Sequence, residues 1–395
     1  AAAGDADDGA TFDFSFSELF AGIGGFRVAL EACGGTCAFA CEVNPWARQI
    51  YGLNFAPEAA LAEPHHTGEA ADDSIAGAGG VAGSVQSVAP EDVPPHDLLT
   101  AGFPCQPFTA STGGAESERP RGFRDARGQL FWHIVRLLQR AGPGRPERRP
   151  KAVLLENVPG LIRNDVTRPR AATAAGEPPA GASGLDCVLS ALSMCGYAVS
   201  WRVYDAQRVL PQMRERVFIV GVREDVAEGW GEGAAFAWPE LPELRPRLLD
   251  VLLEAGTQDL EPYRLTRAQW SSVLQSPYYR KRPEHRLPPL DGVANTLRGS
   301  YRCGFRLYSQ FVPAPAAPGQ GDEPHAEEAV PYRFLAPREC ARLQGFPDWF
   351  RLDGPGAAGP EVPEASQYRA LGNAVPPPVV EHIARALLRS LGLPR

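Results

Sequence analysis

A chain of 395 residues, 44% hydrophobic and 22% charged, is long enough to bury a large core, and this composition excludes a wholly disordered protein. The formal net charge of −8 argues mildly against a nucleic-acid partner, although residues 245–306 are locally basic, with eleven Arg or Lys against six Asp or Glu. The eight cysteines show no Cys-x-x-Cys spacing, which excludes a disulfide framework and a zinc or redox site of that pattern.

The first ordered part of the chain predicts a strand, a glycine turn, a helix and a second strand. Residues 12–20 alternate and are rich in aromatic side chains, and residues 26–33 have helical apolar spacing. Residues 36–41 predict a strand that ends at Glu42. This order is typical of the βαβ unit of nucleotide-type sites.

Strands and helices continue to alternate along the chain. The predicted strands are 97–100, 152–155, 198–204 and 217–222, and the predicted helices are 129–141, 185–195, 337–344 and 378–391. Such alternation favours an α/β fold around a mostly parallel sheet.

Changes in composition and periodicity along the sequence also predict how the chain is divided into domains. Residues 1–11 are predicted to be disordered, and residues 12–223 to form one large domain. Within it, the Ala-, Gly- and Pro-rich residues 57–95 predict a surface insertion with at most a short strand. Residues 224–331, which have weak periodicity, predict a smaller lobe, and residues 332–395 a segment that returns to the large domain.

The glycine turn after the first strand predicts either a ligand site or close packing. Gly22, Gly24 and Gly25 let backbone amides approach a ligand, and Glu42 can accept hydrogen bonds from ribose hydroxyls. The turn lacks the Gly-x-Gly-x-x-Gly spacing of a dinucleotide site, which favours a ligand without phosphates such as S-adenosylmethionine.

Cys105 follows a predicted strand on a loop that Pro104 and Pro107 constrain. A thiolate is a strong nucleophile, but an ordinary Cys with a pKa of about 8.5 is mostly protonated at neutral pH. The alternative is a small buried hydrophobic residue, the usual state of a cysteine in an apolar segment. That alternative is favoured for the remaining cysteines in periodic segments, namely Cys33, Cys37, Cys41, Cys187 and Cys195.

Two polar groups stand beside other core strands. Glu156 follows the strand 152–155, at the carboxyl end where open α/β sheets build their sites. Gln212, Arg214 and Arg216 alternate before the next apolar strand and so offer donors on one face. A helix cap for Glu156 and surface charge for the arginines are the alternatives.

In chain order, these residues resemble the motifs of the DNA (cytosine-5) methyltransferase family of the bacterial restriction-modification type. The similar segments are 16–26 (FSELFAGIGGF), 102–108 (GFPCQPF), 156–158 (ENV), 212–216 (QMRER), 338–347 (RECARLQGFP) and 368–376 (YRALGNAVP). The resemblance implies a Rossmann-like S-adenosylmethionine-dependent methyltransferase fold with a mostly parallel sheet and a smaller, irregular target-recognition domain at residues 224–331.

The resemblance also implies roles for individual residues. Cys105 adds to carbon 6 of a flipped cytosine, Glu156 holds or protonates ring nitrogen 3, and Arg214 and Arg216 position the nucleotide and its phosphates. The implied S-adenosylmethionine site consists of Phe20, Gly22, Ile23, Gly24, Gly25, Glu42, Val43, Ser84, Val85, Pro104, Asn373 and Val375. No metal is expected. Residues 122–128 resemble a mobile loop that closes on DNA.

DNA contacts are expected from the catalytic loops and from the arginine-rich lobe, where Arg pairs with guanine edges. The expected residues are Gln106, Ser111, Arg127, Gln212, Arg298, Ser300, Tyr301 and Arg302. Three positions depart from the family pattern: Glu18 replaces a common Asp, Ser84 stands where an Asp contacts adenine, and Thr109 replaces a Ser.

The expected partner is double-stranded DNA, with a cognate restriction endonuclease as a functional partner. We expect a cytoplasmic, nucleoid-associated monomer, because no apolar run approaches the roughly 20 residues of a membrane span and the start is not signal-like.

Three rival functions stay open. A tRNA cytosine-5 methyltransferase would keep the fold and the chemistry, but a sizeable recognition lobe favours DNA. A non-catalytic DNA-binding relative is disfavoured by the intact Cys105, Glu156 and Arg216. A Cys-dependent amidotransferase would need a partner histidine, and neither His96 nor His133 has a suitable context.

Overall fold

The structure is a computed structural model, and it describes only part of the chain. The described residues are 11–55, 81–108, 122–140, 149–163, 183–227, 235–254, 256, 259–315, 330–354 and 361–393. Residues 1–10 of the segment 1–11 that is predicted to be disordered, and most of the predicted insertion at 57–95, lie outside them. Residues 81–95 are described. There a single bridge between Ala82 and Cys41 takes the place of a strand, and Val85 and Val88 are buried in the core.

A six-stranded sheet in the order β2-β1-β3-β4-β6-β5 forms the centre of the large domain. The strands are β1 (Phe14–Leu19), β2 (Gly35–Cys41), β3 (Leu98–Ala101), β4 (Ala152–Asn157), β5 (Tyr197–Asp205) and β6 (Glu215–Arg223). The pairs among β1 to β4 are parallel, and β6 alone runs against its neighbours. The prediction of an α/β fold around a mostly parallel sheet is confirmed.

Helices cover both faces of this sheet. In chain order they include α1 (Gly25–Ala32), α2 (Pro45–Phe55), α3 (Phe131–Arg140), α4 (Gly160–Arg163), α5 (Gly184–Met194) and α6 (Glu224–Ala227). Because side chains alternate across a strand, Val153 and Leu155 pack on the side of α3 and α5. Ala152 and Leu154 pack on the opposite side, with α1 and the C-terminal helix. The large domain therefore has three layers.

A second lobe, which we define by its own buried core between Leu248 and Leu371, contains little regular structure. It includes α7 (Arg267–Leu274), α8 (Pro277–Lys281), β7 (Val312–Pro313), β8 (Tyr332–Arg333), α9 (Pro337–Gln344) and α10 (Glu364–Asn373). Ile23 and, from α2, Ala47 and Ile50 join the same core, so the glycine turn contacts both lobes.

The return to the large domain comes later than the predicted boundary at residue 332. Cys340 of α9 and Tyr368 of α10 belong to the core of the second lobe, whereas α11 (Pro377–Ser390) packs against α1. The carboxyl ends of β1, β3 and β4, at Leu19, Ala101 and Asn157, meet at one edge of the sheet. This edge carries the loops described next.

Candidate active site

The loop after β3 holds Cys105 at the edge of the sheet. Its backbone turns sharply, since the Phe108 amide donates to the Cys105 carbonyl at 2.9 Å. The Asn157 side-chain amide, at the end of β4, donates to the Phe103 carbonyl at 3.1 Å and ties the loop to the neighbouring strand. The rings of Phe103 and Phe108 are both buried, 6.3 Å apart and nearly perpendicular. These two buried phenylalanine rings thus support the loop on its core-facing side.

Glu156 and Arg216 form an ion pair at the same edge. Glu156 lies near the end of β4, and Arg216 lies near the start of the adjacent antiparallel strand β6, so their side chains meet. Arg216 Nε lies 2.9 Å from Glu156 Oε1, and both side chains are largely buried. Gly102 lies directly beside this pair, because a Cβ there would be in van der Waals contact with Glu156 Oε2, at 3.7 Å.

Burial determines the protonation of both groups. It raises the pKa of Glu156, which Arg216 and Arg214 partly offset. Burial and the Glu156 charge raise the pKa of the Cys105 thiol, against the opposing effect of the two arginines. At neutral pH the site without ligands therefore favours the thiol form of Cys105. The Glu156 carboxyl group has an increased tendency to hold a proton.

The glycine turn after β1 is held open by the acid at the end of β2. Phe20 adopts a left-handed φ of 55°, a conformation that is uncommon for a bulky residue and recurs at functional sites. The Gly22 amide donates to Glu42 Oε2 at 2.9 Å, and the Asn44 amide donates to Glu42 Oε1 at 2.7 Å. Each carboxylate oxygen keeps a lone pair for a further donor. Burial raises the pKa of Glu42.

These three features line one cavity of about 270 Å³. The predicted residues on its wall are Phe20, Gly22, Ile23, Gly25, Glu42, Val43, Ser84, Val85, Pro104, Cys105, Gln106, Glu156, Arg216, Asn373 and Val375. The volume is near the lower end of the range of about 300–1,000 Å³ for small-molecule sites. A cysteine thiol, a buried carboxyl group and the glycine turn therefore face the same space.

Comparison with known proteins agrees with this arrangement. The model of the family "C-5 cytosine-specific DNA methylase" matches residues 14–389. The chain belongs to this family. It is a DNA cytosine-5 methyltransferase, and the resemblance inferred from the sequence motifs is confirmed.

Relatives match over most of their own length. The Type II methyltransferase M.DsaV of Dactylococcopsis salina is 33% identical over 96% of this chain and 87% of its own. The Type II methyltransferase M.HhaI of Haemophilus parahaemolyticus is 28% identical over 95% of this chain and 94% of its own. Among solved structures, the Dnmt2 methyltransferase of S. pombe aligns with a TM-score of 0.61 at 20% identity, over 96% of this chain and all (100%) of that one. Because its sequence identity is low, the match to the S. pombe structure shows the fold alone.

Some predicted residues of the methylase lie away from the cavity, and Gly24 is one. Its φ is +86°, and a Cβ there would collide with Phe55 and Tyr51, so this glycine lets α2 approach the turn. Gly24 thereby determines the shape of the glycine turn from the side that faces α2.

The structure corrects three expected substrate contacts. Gln212 is fully buried and bonds to Leu343 O, Gln344 Oε1 and the Leu297 amide. Tyr301, 2% exposed, donates to Gln310 O and accepts from the Leu335 amide. Arg214 is 1% exposed, its guanidinium donates to the backbone carbonyls of Leu297, Gly372 and Ala374, and it does not line the cavity. In this conformation none of the three can reach a base or a phosphate.

The remaining expected DNA contacts are on the surface or outside the described residues. Arg298 and Ser300 are exposed, and the Arg298 guanidinium lies over the Tyr308 ring at 4.7 Å. Arg302 is half-buried and pairs with Glu364 of α10. Arg127 is exposed and pairs with Asp125 at 2.8 Å. Ser111 and Thr109 lie outside the described residues.

Sequence reasoning missed part of the cavity wall. Ser366, Arg369, Ala370, Gly372 and Ala374 line it as well. All but Ser366 fall within the segment 368–376 already noticed in the sequence, which was the available signal. Among the described residues, no group of three or more His, Cys, Asp or Glu is placed to hold a metal ion, and no helix is both long and apolar enough to cross a membrane.

Proposed function

We propose that this methyltransferase acts on a cytosine flipped out of a specific double-stranded DNA sequence, through a covalent bond between Cys105 and carbon 6 of the ring. One observation carries the proposal: Cys105, the Glu156–Arg216 pair and the Phe20–Glu42 turn line a single cavity. A partly buried thiol on the wall of such a cavity cannot reach a base inside a duplex, so the nucleotide must leave the stack.

The turn side of the cavity fits S-adenosylmethionine. The Glu42 carboxylate, fixed by the Gly22 and Asn44 amides, is oriented to accept bonds from ribose hydroxyls. Phe20 and Val43 supply apolar surface for an adenine, and the Ser84 hydroxyl is a polar group on the same wall. When bound, S-adenosylmethionine supplies an electrophilic methyl group on its sulfonium.

The other side of the cavity prepares the base. Water takes the proton of the Cys105 thiol as its sulfur bonds to carbon 6, and Glu156 donates a proton to ring nitrogen 3. Burial favours the protonated form of Glu156 that this step requires. Carbon 5 thereby becomes nucleophilic enough to take the methyl group. Water then takes the proton from carbon 5, and the electrons of that bond re-form the double bond between carbons 5 and 6 and expel the Cys105 sulfur as a thiolate. Ring nitrogen 3 returns its proton to Glu156, and the thiolate regains a proton from water.

Arg216 positions the carboxyl group and the incoming nucleotide. Its Nε holds Glu156 Oε1 at 2.9 Å, so the carboxyl group has a fixed direction. The guanidinium retains further donors, which are suited to the cytosine carbonyl or a phosphate.

The DNA surface that we propose combines the mouth of the cavity with the second lobe. Gln106 is exposed on the cavity wall, and Arg127 lies on the neighbouring loop. Both are suited to contact the duplex at the position that the flipped nucleotide has left. Arg298 and Ser300 are the exposed donors of the arginine-rich segment. Following the Type II names of its relatives, we expect a restriction endonuclease that cuts the same sequence, and we expect the methylase to act as a monomer on nucleoid DNA in the cytoplasm.

Transfer of a tritiated methyl group tests this proposal. Wild type and Cys105→Ser are incubated with labelled S-adenosylmethionine and either duplex DNA or transfer RNA. We expect label on DNA with the wild type alone, and bisulfite sequencing then locates the target site. Label on RNA but not on DNA would support the tRNA alternative, and no transfer by the wild type would support a non-catalytic relative.

A further inference from the structure

Arg214 joins two parts of the methylase that are far apart in sequence. Its Nη1 donates to Leu297 O at 3.1 Å, and its Nη2 donates to Gly372 O at 3.1 Å and Ala374 O at 2.7 Å. The last carbonyls of a helix lack partners within the helix and carry partial negative charge. Arg214 therefore caps the carboxyl end of α10 and holds the Leu297 backbone against it.

The first of these parts covers the cofactor side of the cavity. Gly372, Asn373, Ala374 and Val375 all line the cavity. Val375 lies directly on the glycine turn, since a Cβ at Gly25 would lie 2.8 Å from Val375 Cγ2. A ligand on the turn must therefore contact the segment that Arg214 holds.

The second part leads to the expected DNA contacts. The Leu297 amide donates to Gln212 Oε1 at 2.7 Å, and the Thr296 hydroxyl donates to Met213 O at 2.7 Å, so this segment is fastened to the chain on both sides of Arg214. The exposed residues Arg298 and Ser300 follow immediately.

The two parts also touch each other without any gap. A Cβ at Gly372 would lie only 2.3 Å from Arg298 C and Gly299 N. A movement of residues 372–375 toward residues 297–300 therefore displaces the backbone of that segment. Close packing and three charge-assisted hydrogen bonds make the two segments one mechanical unit.

We propose that Arg214 is a positioning residue that couples cofactor binding to DNA binding. Cofactor on the glycine turn restricts the motion of residues 372–375. Because Arg214 bonds both segments, residues 297–300 become more ordered as well, and the enzyme with bound cofactor binds its target DNA more tightly. Coupling of this kind is reciprocal, and DNA tightens cofactor binding by the same factor. The inference rests on the proposed function, because it requires both ligands.

The test measures the dissociation constant of a duplex that carries the bisulfite-located site, with and without saturating S-adenosylhomocysteine. For the wild type we expect tightening of at least about fivefold, the lower end of usual coupling factors. Arg214→Lys keeps a positive charge but cannot span three carbonyls, so its coupling factor should fall below about twofold.

Arg286→Lys is the matched control. Arg286 is equally buried and also donates to three carbonyls, but these belong to Phe305, Arg306 and Ser309, all inside the second lobe. This variant should weaken DNA binding with and without S-adenosylhomocysteine to the same extent and keep the wild-type coupling factor. A merely structural role of Arg214 would make the two variants alike.

Hydrogen exchange of the wild type provides a readout that needs no variant. S-adenosylhomocysteine alone should slow amide exchange at residues 295–300 as well as at 372–375. Protection confined to the cavity wall, an unchanged coupling factor in Arg214→Lys, or a wild type that binds both ligands independently would each overturn the inference. Failure of S-adenosylhomocysteine to bind at all would instead count against the proposed function.

Discussion

The carboxyl edge of the sheet and the second lobe are stabilised in different ways. At the sheet edge, strand pairing satisfies the backbone, and polar side chains such as Glu156 and Glu42 retain capacity for a ligand. In the second lobe, arginine side chains satisfy backbone carbonyls instead, as Arg286 and Arg338 do. A buried carbonyl needs a donor whether or not a strand supplies one. An arginine-rich lobe is therefore not automatically a DNA-binding surface, because part of its positive charge is used internally.

The largest effect should come from the sheet edge, and it should be chemical. Glu156→Gln removes the proton donor for ring nitrogen 3, and loss of general acid catalysis lowers turnover by roughly 10²- to 10⁴-fold. Gln retains an oxygen that can accept from Arg216 Nε. We therefore expect thermal unfolding to change little and S-adenosylhomocysteine binding to stay within a fewfold of wild type. Turnover within tenfold of wild type would remove Glu156 from the mechanism.

In the second lobe, the corresponding effect should be on stability. Glu339 binds Arg333 through both oxygens at 2.7 and 2.8 Å, with both side chains buried, and also accepts from the Leu253 and Ala336 amides. Glu339→Gln leaves the Arg333 charge unpaired, and breaking a buried pair costs about 3–5 kcal/mol. Chemical denaturation measures the loss.

The matched control for that change is an exposed pair in the same lobe. Glu261 is largely exposed and pairs with Arg264 at 2.8 Å. Glu261→Gln should cost no more than about 1 kcal/mol. Equal losses for the two variants would contradict the claim that buried arginine bonds hold the second lobe.

The contact between the two regions can be tested at a glycine. Gly372→Ala places a Cβ 2.3 Å from the Arg298 backbone, and such overpacking costs about 1–3 kcal/mol. Gly52→Ala in α2 is the control, since nothing lies within 4 Å of its Cβ, and it should stabilise the helix by about 0.5–1 kcal/mol. Chemical denaturation should show a lower free energy of unfolding for Gly372→Ala and a higher one for Gly52→Ala, relative to wild type. An unchanged free energy of unfolding in Gly372→Ala would show that the contact is loose.

A further effect should be a dependence of stability on pH, from a group beneath the glycine turn. Glu18 is fully buried in β1, Tyr51 donates to its Oε2 at 3.2 Å, and burial raises its pKa to about 8. Between pH 4.5 and 8 the folded protein therefore holds this proton while the unfolded chain has lost it. Its contribution to stability falls as pH rises through that window. Glu18→Gln should flatten this slope in unfolding experiments at several pH values, and an unchanged slope would assign it to other groups.

The sequence predicts the sheet edge far better than the second lobe, and the reason is physical. The core strands are short apolar runs whose pattern reflects burial on both faces, and α9 was predicted with the bounds that the structure shows, Pro337–Gln344. Helices α2 and α10 were not predicted, because each contains an internal glycine, Gly52 or Gly372, and each is stabilised by tertiary contacts.

The roles of Gln212 and Arg214 escaped sequence reasoning for a related cause. Alternation puts residues 212, 214 and 216 on one face only if all three lie in a strand, but β6 begins at Glu215. Before that residue the chain bonds to residues 294–297, which directs Gln212 and Arg214 inward and leaves only Arg216 in the cavity. No local pattern reports a carbonyl that is 83 residues away, as Leu297 O is from Arg214.

The central claim, that Cys105 forms a bond with the target cytosine, is tested most directly by trapping that bond. In a duplex with 5-fluorocytosine at the target site, fluorine replaces the proton that must leave carbon 5, so the methylated adduct cannot break down. Mass spectrometry of the digested complex should place the adduct on the peptide that contains Cys105, only with S-adenosylmethionine present and never with Cys105→Ser. Methylation of ordinary DNA without any adduct, or an adduct on the exposed Cys303, would contradict the account.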